Sequence, residues 1–308
     1  MVITCPYCNK KHALDENRVA DPSAIRNARC RGCGKVFQVT LAEPVKKEEA
    51  PAAKKATTRA IGVSLSKGGV GKTTTAVNLA AGLALAGYKV LLVDTDTQGQ
   101  ASFMLGVTPK ATLTELVTGE LPAADVVMEV RDRLWLLAGG KSLAGIKRLI
   151  DRKDFGGELT LKEALEPLES DYDYVVVDTS PGWDPLTVNV LFYVRELLTP
   201  VSLEVLSLQG LSEFIKSIAA IRKYRKDVAL KYILPTFHDK RIKQTTEILD
   251  KIEKIYGSRL CAPIRYNVRL SESPAYGKTI YEYAPGCNGA QDYRELIRKV
   301  TGNSKLFT

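Results

Sequence analysis

Two lysines five residues apart, Lys67 and Lys72, bracket the glycines of "SKGGVGKTT" (66–74). Gly68, Gly69 and Gly71 allow a backbone to wrap closely around an anion with its N–H groups turned inward. Lys72 is placed to reach the β- and γ-phosphates of a nucleotide, and Thr73 to ligate Mg²⁺. The stretch departs from the usual G-x-x-x-x-G-K-[ST] at one position: Ser66 stands where the first glycine belongs, and Lys67 follows at once. A chance Gly-rich turn is the plain alternative. It is outweighed by Gly-Lys-Thr lying between an apolar run and a long amphipathic helical stretch whose positive end meets the same anion.

Acidic groups recur at matching places. Asp94 and Asp96 close "KVLLVDTD", and Asp178 closes "YDYVVVD". Each follows a short apolar run of strand character, and doubly wound sheets place ligands at the carboxyl ends of their strands. A separate set stands at the N-terminus, where Cys5, Cys8, Cys30 and Cys33 form C-x2-C-x21-C-x2-C. Four thiolates in two such pairs are the tetrahedral donor set of zinc, and a module this small needs the metal to fold. A redox C-x-x-C fits poorly, because there are two pairs and no thioredoxin-like βαβ pattern. His12 is superfluous to a site that four cysteines already close. Cys261 and Cys287 stand singly and read as buried structural cysteines.

The elements that must position these groups are legible in outline. Apolar runs at 60–66, 89–94, 133–140, 172–182, 195–202 and 230–237 alternate with helical sequence, the first helix running from about Lys72 to Ala86. That alternation predicts an α/β fold with a doubly wound, mostly parallel sheet of the P-loop NTPase kind. "LAEPVKKEEAPAAKKATTRA" lacks apolar periodicity and reads as an extended linker. The expected organisation is therefore a zinc ribbon over 1–41, a linker over 42–59 and a nucleotide-binding domain over 60–308. No internal repeat is evident.

Composition narrows the class. With 45% hydrophobic and 26% charged residues the chain is that of a globular protein. It has no apolar run of bilayer length and no signal-peptide core, so a cytoplasmic location with reduced cysteines is expected. The net charge of +9 is unevenly spread: residues 214–308 hold 19 Lys and Arg against 9 Asp and Glu, whereas 60–213 hold 13 against 20. A basic C-terminal third suits a polyanion, nucleic acid foremost.

With its advanced lysine, "KGGVGKTT" resembles the deviant Walker A motif of the ParA/MinD/Soj ATPases. "VLLVDTDTQGQAS" (90–102) is similar to the family's D-x-D-P-Q-G stretch, and "VVVDTSPG" (175–182) to its Walker B strand. The resemblance continues to about residue 301 through "LSLQGLSEF", "LPTFHDKR", "YNVRLSESPAYGKTIYEYAP" and "GAQDYRELIRKV". It implies ATP bound by Gly68, Gly69, Val70, Gly71, Lys72, Thr73 and Thr74. It implies Asp94 and Asp178 supporting Mg²⁺, Asp96 positioning the attacking water, and 179–182 as a switch loop. It also implies that Lys67 crosses a two-fold interface to the partner's phosphates, so that ATP binding and homodimerisation coincide. Thr97 and Ser180 replace prolines of the pattern, which is expected to alter loop stiffness and hydrolysis rate. The segment "ITCPYCNKKHALDENRV…ARCRGCGKVFQV" likewise resembles small bacterial zinc ribbons, which bind nucleic acid or protein.

In Soj-like members the ATP-bound dimer grips DNA without sequence preference. By position this assigns Arg241 and Arg269 to DNA, and "KSIAAIRKYRK" (216–226) adds Arg222. The resemblance further implies nucleoid association, a ParB-like partner that stimulates hydrolysis, and no stable membrane association. A MinD-like membrane-cycling ATPase is the alternative. It needs the C-terminal apolar residues Tyr293, Leu296, Ile297 and Val300 for the bilayer, whereas their spacing suggests packing onto the sheet. An iron–sulfur reductase built on the same loop lacks its paired cysteines here.

Overall fold

The computed structural model describes residues 2–13, 26–39 and 57–307. The chain divides into two compact units, Met1–Ala56 and Thr57–Thr308. Most of the expected linker lies outside the described residues. Its last three residues, from Thr57, belong to the larger unit: the Thr58 hydroxyl donates to the carbonyls of Glu169 and Tyr172, and Arg59 opens a strand.

The small unit contains two antiparallel pairs, β1 (Val2–Thr4) with β2 (Lys11–Ala13), and β3 (Arg26–Arg29) with β4 (Val36–Val39). Its described core is only Cys5, Cys30 and Phe37, with Ala28 packed against them. So little apolar burial cannot hold a fold without a further constraint.

The large unit is built on seven strands: β5 (Arg59–Val63), β6 (Val90–Asp94), β7 (Val127–Arg131), β8 (Leu134–Leu137), β9 (Tyr174–Asp178), β10 (Glu196–Ser202) and β11 (Ala229–Thr236). Their order is β11-β10-β5-β9-β6-β8-β7. All neighbours run parallel except β7, which pairs antiparallel with β8. β7 escapes the sequence reading because Glu129 and Arg131 interrupt its apolar run, as suits an edge strand exposed on one side.

Side-chain alternation divides the core into two layers. Leu91, Val93, Val175 and Val177 face helices at 143–151, 185–193, 205–221 and 243–256. Val90, Leu92, Tyr174 and Val176 face helices Lys72–Leu85 and Asn288–Thr301. Burial on both faces explains why these strands read as unbroken apolar runs. Near the amino ends of the strands, Glu196 accepts two hydrogen bonds from Arg59, at 3.0 and 2.6 Å, and pairs with Lys231 at 3.0 Å. Arg59 also donates to the Val300 carbonyl at 2.6 Å, which ties the last helix to the sheet.

Candidate functional site

The loop 66–71 leaves the end of β5 and leads directly into helix Lys72–Leu85. Gly69 and Gly71 adopt left-handed φ of 73° and 87°, which only glycine takes without strain, and Gly71 caps the helix. Beside the loop opens a cavity of about 510 Å³. Gly68, Gly69, Gly71, Lys72, Thr73, Thr74 and Asp96 line it. Val70 is buried instead, its carbonyl accepting from the Thr236 hydroxyl at 3.0 Å.

Three aspartates converge under this cavity at the ends of β6 and β9. Asp94 accepts the N–H groups of Asp96 and Ala101, at 2.8 and 3.2 Å. Burial nevertheless pushes its carboxyl up to about 7, with the nearby Asp96 charge adding to the rise. Asp178 is fully buried, and neither carboxylate oxygen has a hydrogen-bond partner. Desolvation, with Asp94 next, raises its pKa well above the usual range, and the opposing influence of Thr73 and Lys72 does not restore it. Lys72 is buried too, its ammonium donating to the Lys67 carbonyl at 2.8 Å. Burial lowers its pKa, against the pull of Asp178 and Asp96. A buried carboxylate without a donor, beside a second that only backbone N–H groups satisfy, is a site that a cation completes. The residues therefore fit Mg²⁺ and a polyphosphate: Asp178 and Thr73 would hold the metal's shell, and the loop N–H groups and Lys72 the phosphates.

Lys67 takes no part in lining the cavity. Its ammonium points away, to Glu204 Oε2 at 3.1 Å and Ser207 Oγ at 2.9 Å, and Ser207 is braced by Ser202 at 2.7 Å. Of the two substituted prolines, Ser180 uses its hydroxyl to bond Asp184 at 3.0 Å, and Asp184 in turn pairs with Lys147 at 2.6 Å. The segment after β9 is thus tied to the next helix by side chains rather than by ring stiffness.

The four N-terminal cysteines come together, their sulfurs all within 4.8 Å of one another. Cys5–Cys33 and Cys8–Cys30 are 3.7 and 3.5 Å apart, close to the ~3.8 Å edge of a tetrahedron with ~2.3 Å zinc–sulfur bonds. The N–H of Cys33 and that of Gly32, with His12, draw the Cys30 thiol down to about 5. Cys8, despite the Lys10 N–H, is pushed up to about 12 by the neighbouring Cys30 and by burial. Thiols crowded this way compete for protons, and a divalent cation removes the conflict. His12 Nε2 sits 3.2 Å from Cys30 Sγ, beside the donor set rather than in it. Although no repeat was legible in the sequence, the two turns repeat each other. Cys5–Lys10 and Cys30–Lys35 share the same N–H to carbonyl bond, at 3.0 and 2.9 Å, and place Asn9 and Gly34 at positive φ.

The cationic candidates fare differently. Arg241 is 85% exposed and paired with Asp239 at 2.6 Å, and Arg269 is exposed and paired with Glu272 at 2.9 Å. An isolated bridge between His238 and Arg265 lays their two segments side by side at the cavity rim. Arg222 is exposed at the end of helix Val205–Ile221, whereas the neighbouring Arg225 is structural, bound to Asp227 and to the carbonyls of Leu191 and Tyr193. Tyr293, Leu296, Ile297 and Val300 are buried in the core, so a bilayer cannot use them in this arrangement. Among the described residues no helix is long and apolar enough to cross a membrane. Cys261 is buried as expected. Cys287 is only partly so, and corrects that expectation: its sulfur caps helix Asn288–Thr301 by accepting the Ala290 N–H at 3.4 Å.

Sequence reasoning missed the residues that support the site from a distance. Asn78, on the helix after the loop, accepts the Ile280 N–H at 2.9 Å. A side-chain carbon at Gly139 would lie 2.7 Å from the carbonyls of both Asp94 and Asp96, so only glycine lets the β8 end back these aspartates. The pair "GG" after an apolar run was the available signal. The clamp Glu204–Ser207 left none.

A family profile described as an AAA domain matches residues 58–231, and one described as a zinc-ribbon domain matches 1–38. The sporulation initiation inhibitor protein Soj of Bacillus subtilis is 35% identical over 79% of this chain and 98% of its own length. The chromosome-partitioning ATPase Soj of Thermus thermophilus is 36% identical over 80% and 96%. The chromosome partitioning protein ParA of Caulobacter vibrioides is 30% identical over 80% and 95%. Among solved structures, cobyrinic acid a,c-diamide synthase from Mycobacterium smegmatis, with bound ADP and magnesium, superposes with a TM-score of 0.68 at 29% identity, covering 79% of this chain and 96% of that one. The ATP complex of a Cyanothece McdA variant reaches 0.73 at 21% identity, over 82% and 100%, a likeness of fold alone.

Proposed function

Because the chain belongs to the Soj/ParA family of partitioning ATPases, we propose that it couples ATP binding to homodimerisation and DNA binding, and that hydrolysis by the dimer releases the DNA. The chain is an ATPase with Mg²⁺ as its nucleotide metal and zinc in its N-terminal ribbon. The observation that carries the coupling is the divergence of two lysines from one loop. Lys72 stays in its own cavity, while Lys67 is held outside it by Glu204 and Ser207. A cation so placed can serve phosphates presented by a second copy, whose charge it offsets only when both sites are filled.

Within each site, bound Mg²⁺ would neutralise charge on the β- and γ-phosphate oxygens. Lys72 and the N–H groups of 68–73 orient the phosphates, and the helix N-terminus adds its dipole. Asp96, whose Oδ1 accepts the Gln98 N–H at 3.0 Å, faces the cavity and orients the attacking water. Asp94 stands behind it, and Ser180 sets the stiffness of the 179–182 switch.

DNA is gripped without sequence preference by Arg241 and Arg269, with Arg222 as an outlying contact, as phosphate binding requires. The carboxylates beside Arg241 and Arg269 are exposed ion pairs of small worth, readily exchanged for phosphate. Nucleoid association and stimulation by a ParB-like partner follow from the same reading. The test is duplex binding by an Asp96→Ala protein held in the ATP state. Four phosphate contacts per dimer give a log K versus log[salt] slope near −3.6 from these residues, and Arg269→Ala should reduce its magnitude by about 1.8. A slope that ignores Arg269 removes it from the DNA surface, and binding indifferent to ATP removes the coupling.

A further inference from the structure

The two zinc turns exchange their lysines. Lys10 and Lys35 occupy equivalent positions after the second cysteine of each turn. Lys10 leans over the second turn, where a side chain at Gly32 would meet its Cδ at 2.6 Å. Lys35 leans over the first, its ammonium 4.8 Å from the Tyr7 ring centre. Lys11, Arg29 and Arg31 are exposed on the same small unit, and no carboxylate occurs among its described residues.

This charge exceeds what the metal centre needs. Four thiolates around Zn²⁺ carry −2, against five exposed cations among the described residues, and residues 1–41 as a whole hold 7 Lys and Arg against 3 Asp and Glu. The apolar inventory is spent inside, on Cys5, Cys30 and Phe37, leaving Tyr7 and Val36 as the exposed large apolar side chains described there. Protein interfaces draw on a buried apolar centre and are depleted in lysine, whereas phosphate contacts need cations and little apolar area. We propose that the zinc ribbon is itself a DNA-backbone-binding module, using Lys10, Lys11, Arg29, Arg31 and Lys35. It acts separately from the arginines of the ATPase domain, and it needs neither ATP nor pairing. In a dimer it adds contacts from each chain on top of the ATP-controlled ones, which lengthens residence on DNA through multivalency.

The test uses the full zinc-loaded chain without nucleotide, in an Arg222→Ala, Arg241→Ala, Arg269→Ala background, so that the contacts proposed for the ATPase domain are absent. Anisotropy of a labelled duplex is followed from roughly 50 to 200 mM salt. Replacing Lys11, Arg29 and Arg31 by Gln should lower the magnitude of the log–log slope by about 2.7, a step of ~0.9 for each phosphate no longer neutralised. Zinc content should stay unchanged, and the Lys11→Arg, Arg29→Lys, Arg31→Lys protein should retain the slope. An unchanged slope in the Gln protein overturns the proposal. So does binding of labelled polyglutamate in preference to the duplex, which assigns the surface to an acidic protein instead. The ATP dependence measured with Arg269→Ala is untouched by either result.

Discussion

Two carboxylate clusters lie in the same sheet and obey opposite rules. At the amino ends of the strands, Glu196 is satisfied by Arg59 and Lys231, and despite burial their hydrogen bonds and charges hold its pKa below the usual range. At the carboxyl ends, Asp178 has no hydrogen-bond partner and Asp94 has two backbone donors but no cation, and both pKa values rise. The first cluster carries its own counter-charge and is structural. The second has only the buried Lys72 charge nearby, which does not offset desolvation, an arrangement tolerable only where a ligand supplies the rest.

Removing one member from each cluster sharpens this contrast most. Asp178→Asn should reduce ATP hydrolysis by about 10²–10³-fold, on the scale of losing one preorganised electrostatic group. The same change should raise nucleotide-free stability by about 1 kcal/mol, since the cost of neutralising or burying an unpartnered carboxylate disappears. Arg59→Met should do the reverse. It leaves Glu196 short of its main partner, costs about 3 kcal/mol, lowers the melting temperature by about 6–12 °C, and leaves hydrolysis well below that temperature unchanged. Thermal melts alongside steady-state phosphate release check both. If Arg59→Met matched Asp178→Asn in activity, the division between the clusters would fail.

The pH dependence separates the clusters next. Asp94 titrates near 7 in the fold and near 3.8 when unfolded, so its contribution is fully present below about 4 and is lost as pH rises towards 7. Glu196, with a lowered pKa, contributes above the ordinary carboxylate range and loses that contribution as pH falls. Without nucleotide, Asp94→Asn should therefore gain stability relative to the unsubstituted chain between pH 5 and 7, by up to about 1.4 kcal/mol per pH unit. Denaturant titrations at several pH values measure it, and a difference that stays flat with pH would contradict it.

The smallest effect is expected at the Lys67 clamp. Its ion pair with Glu204 is partly exposed, at 29% and 68%, so Glu204→Ala should change stability by less than about 1 kcal/mol. Freed of its tether, Lys67 should favour ATP-dependent pairing, but by less than about 5-fold. Sedimentation at several concentrations reads this directly.

What the sequence made legible follows from how each feature is encoded. The nucleotide loop, the three aspartates and the cysteine pairs lie in short contiguous motifs, and the buried strands announce themselves by unbroken apolar runs. Glu204 and Ser207 act on Lys67 across 137 and 140 positions, and Asn78 holds Ile280 across 202, contacts that no local spacing reveals. β7 was hidden by charges proper to an edge, and the repeated zinc turns by the exchange of Asn9 for Gly34 at the left-handed position. Cys287 was misjudged because its chemistry as a helix cap looks no different in sequence from burial.

Pairing through Lys67 is the claim on which the DNA cycle stands. Sedimentation of the purified chain with Mg²⁺ and a non-hydrolysable ATP analogue tests it most directly. A particle of twice 33.8 kDa that reverts to one chain on Lys67→Ala is the expected result. A single-chain particle at saturating nucleotide, or a dimer indifferent to Lys67→Ala, contradicts it.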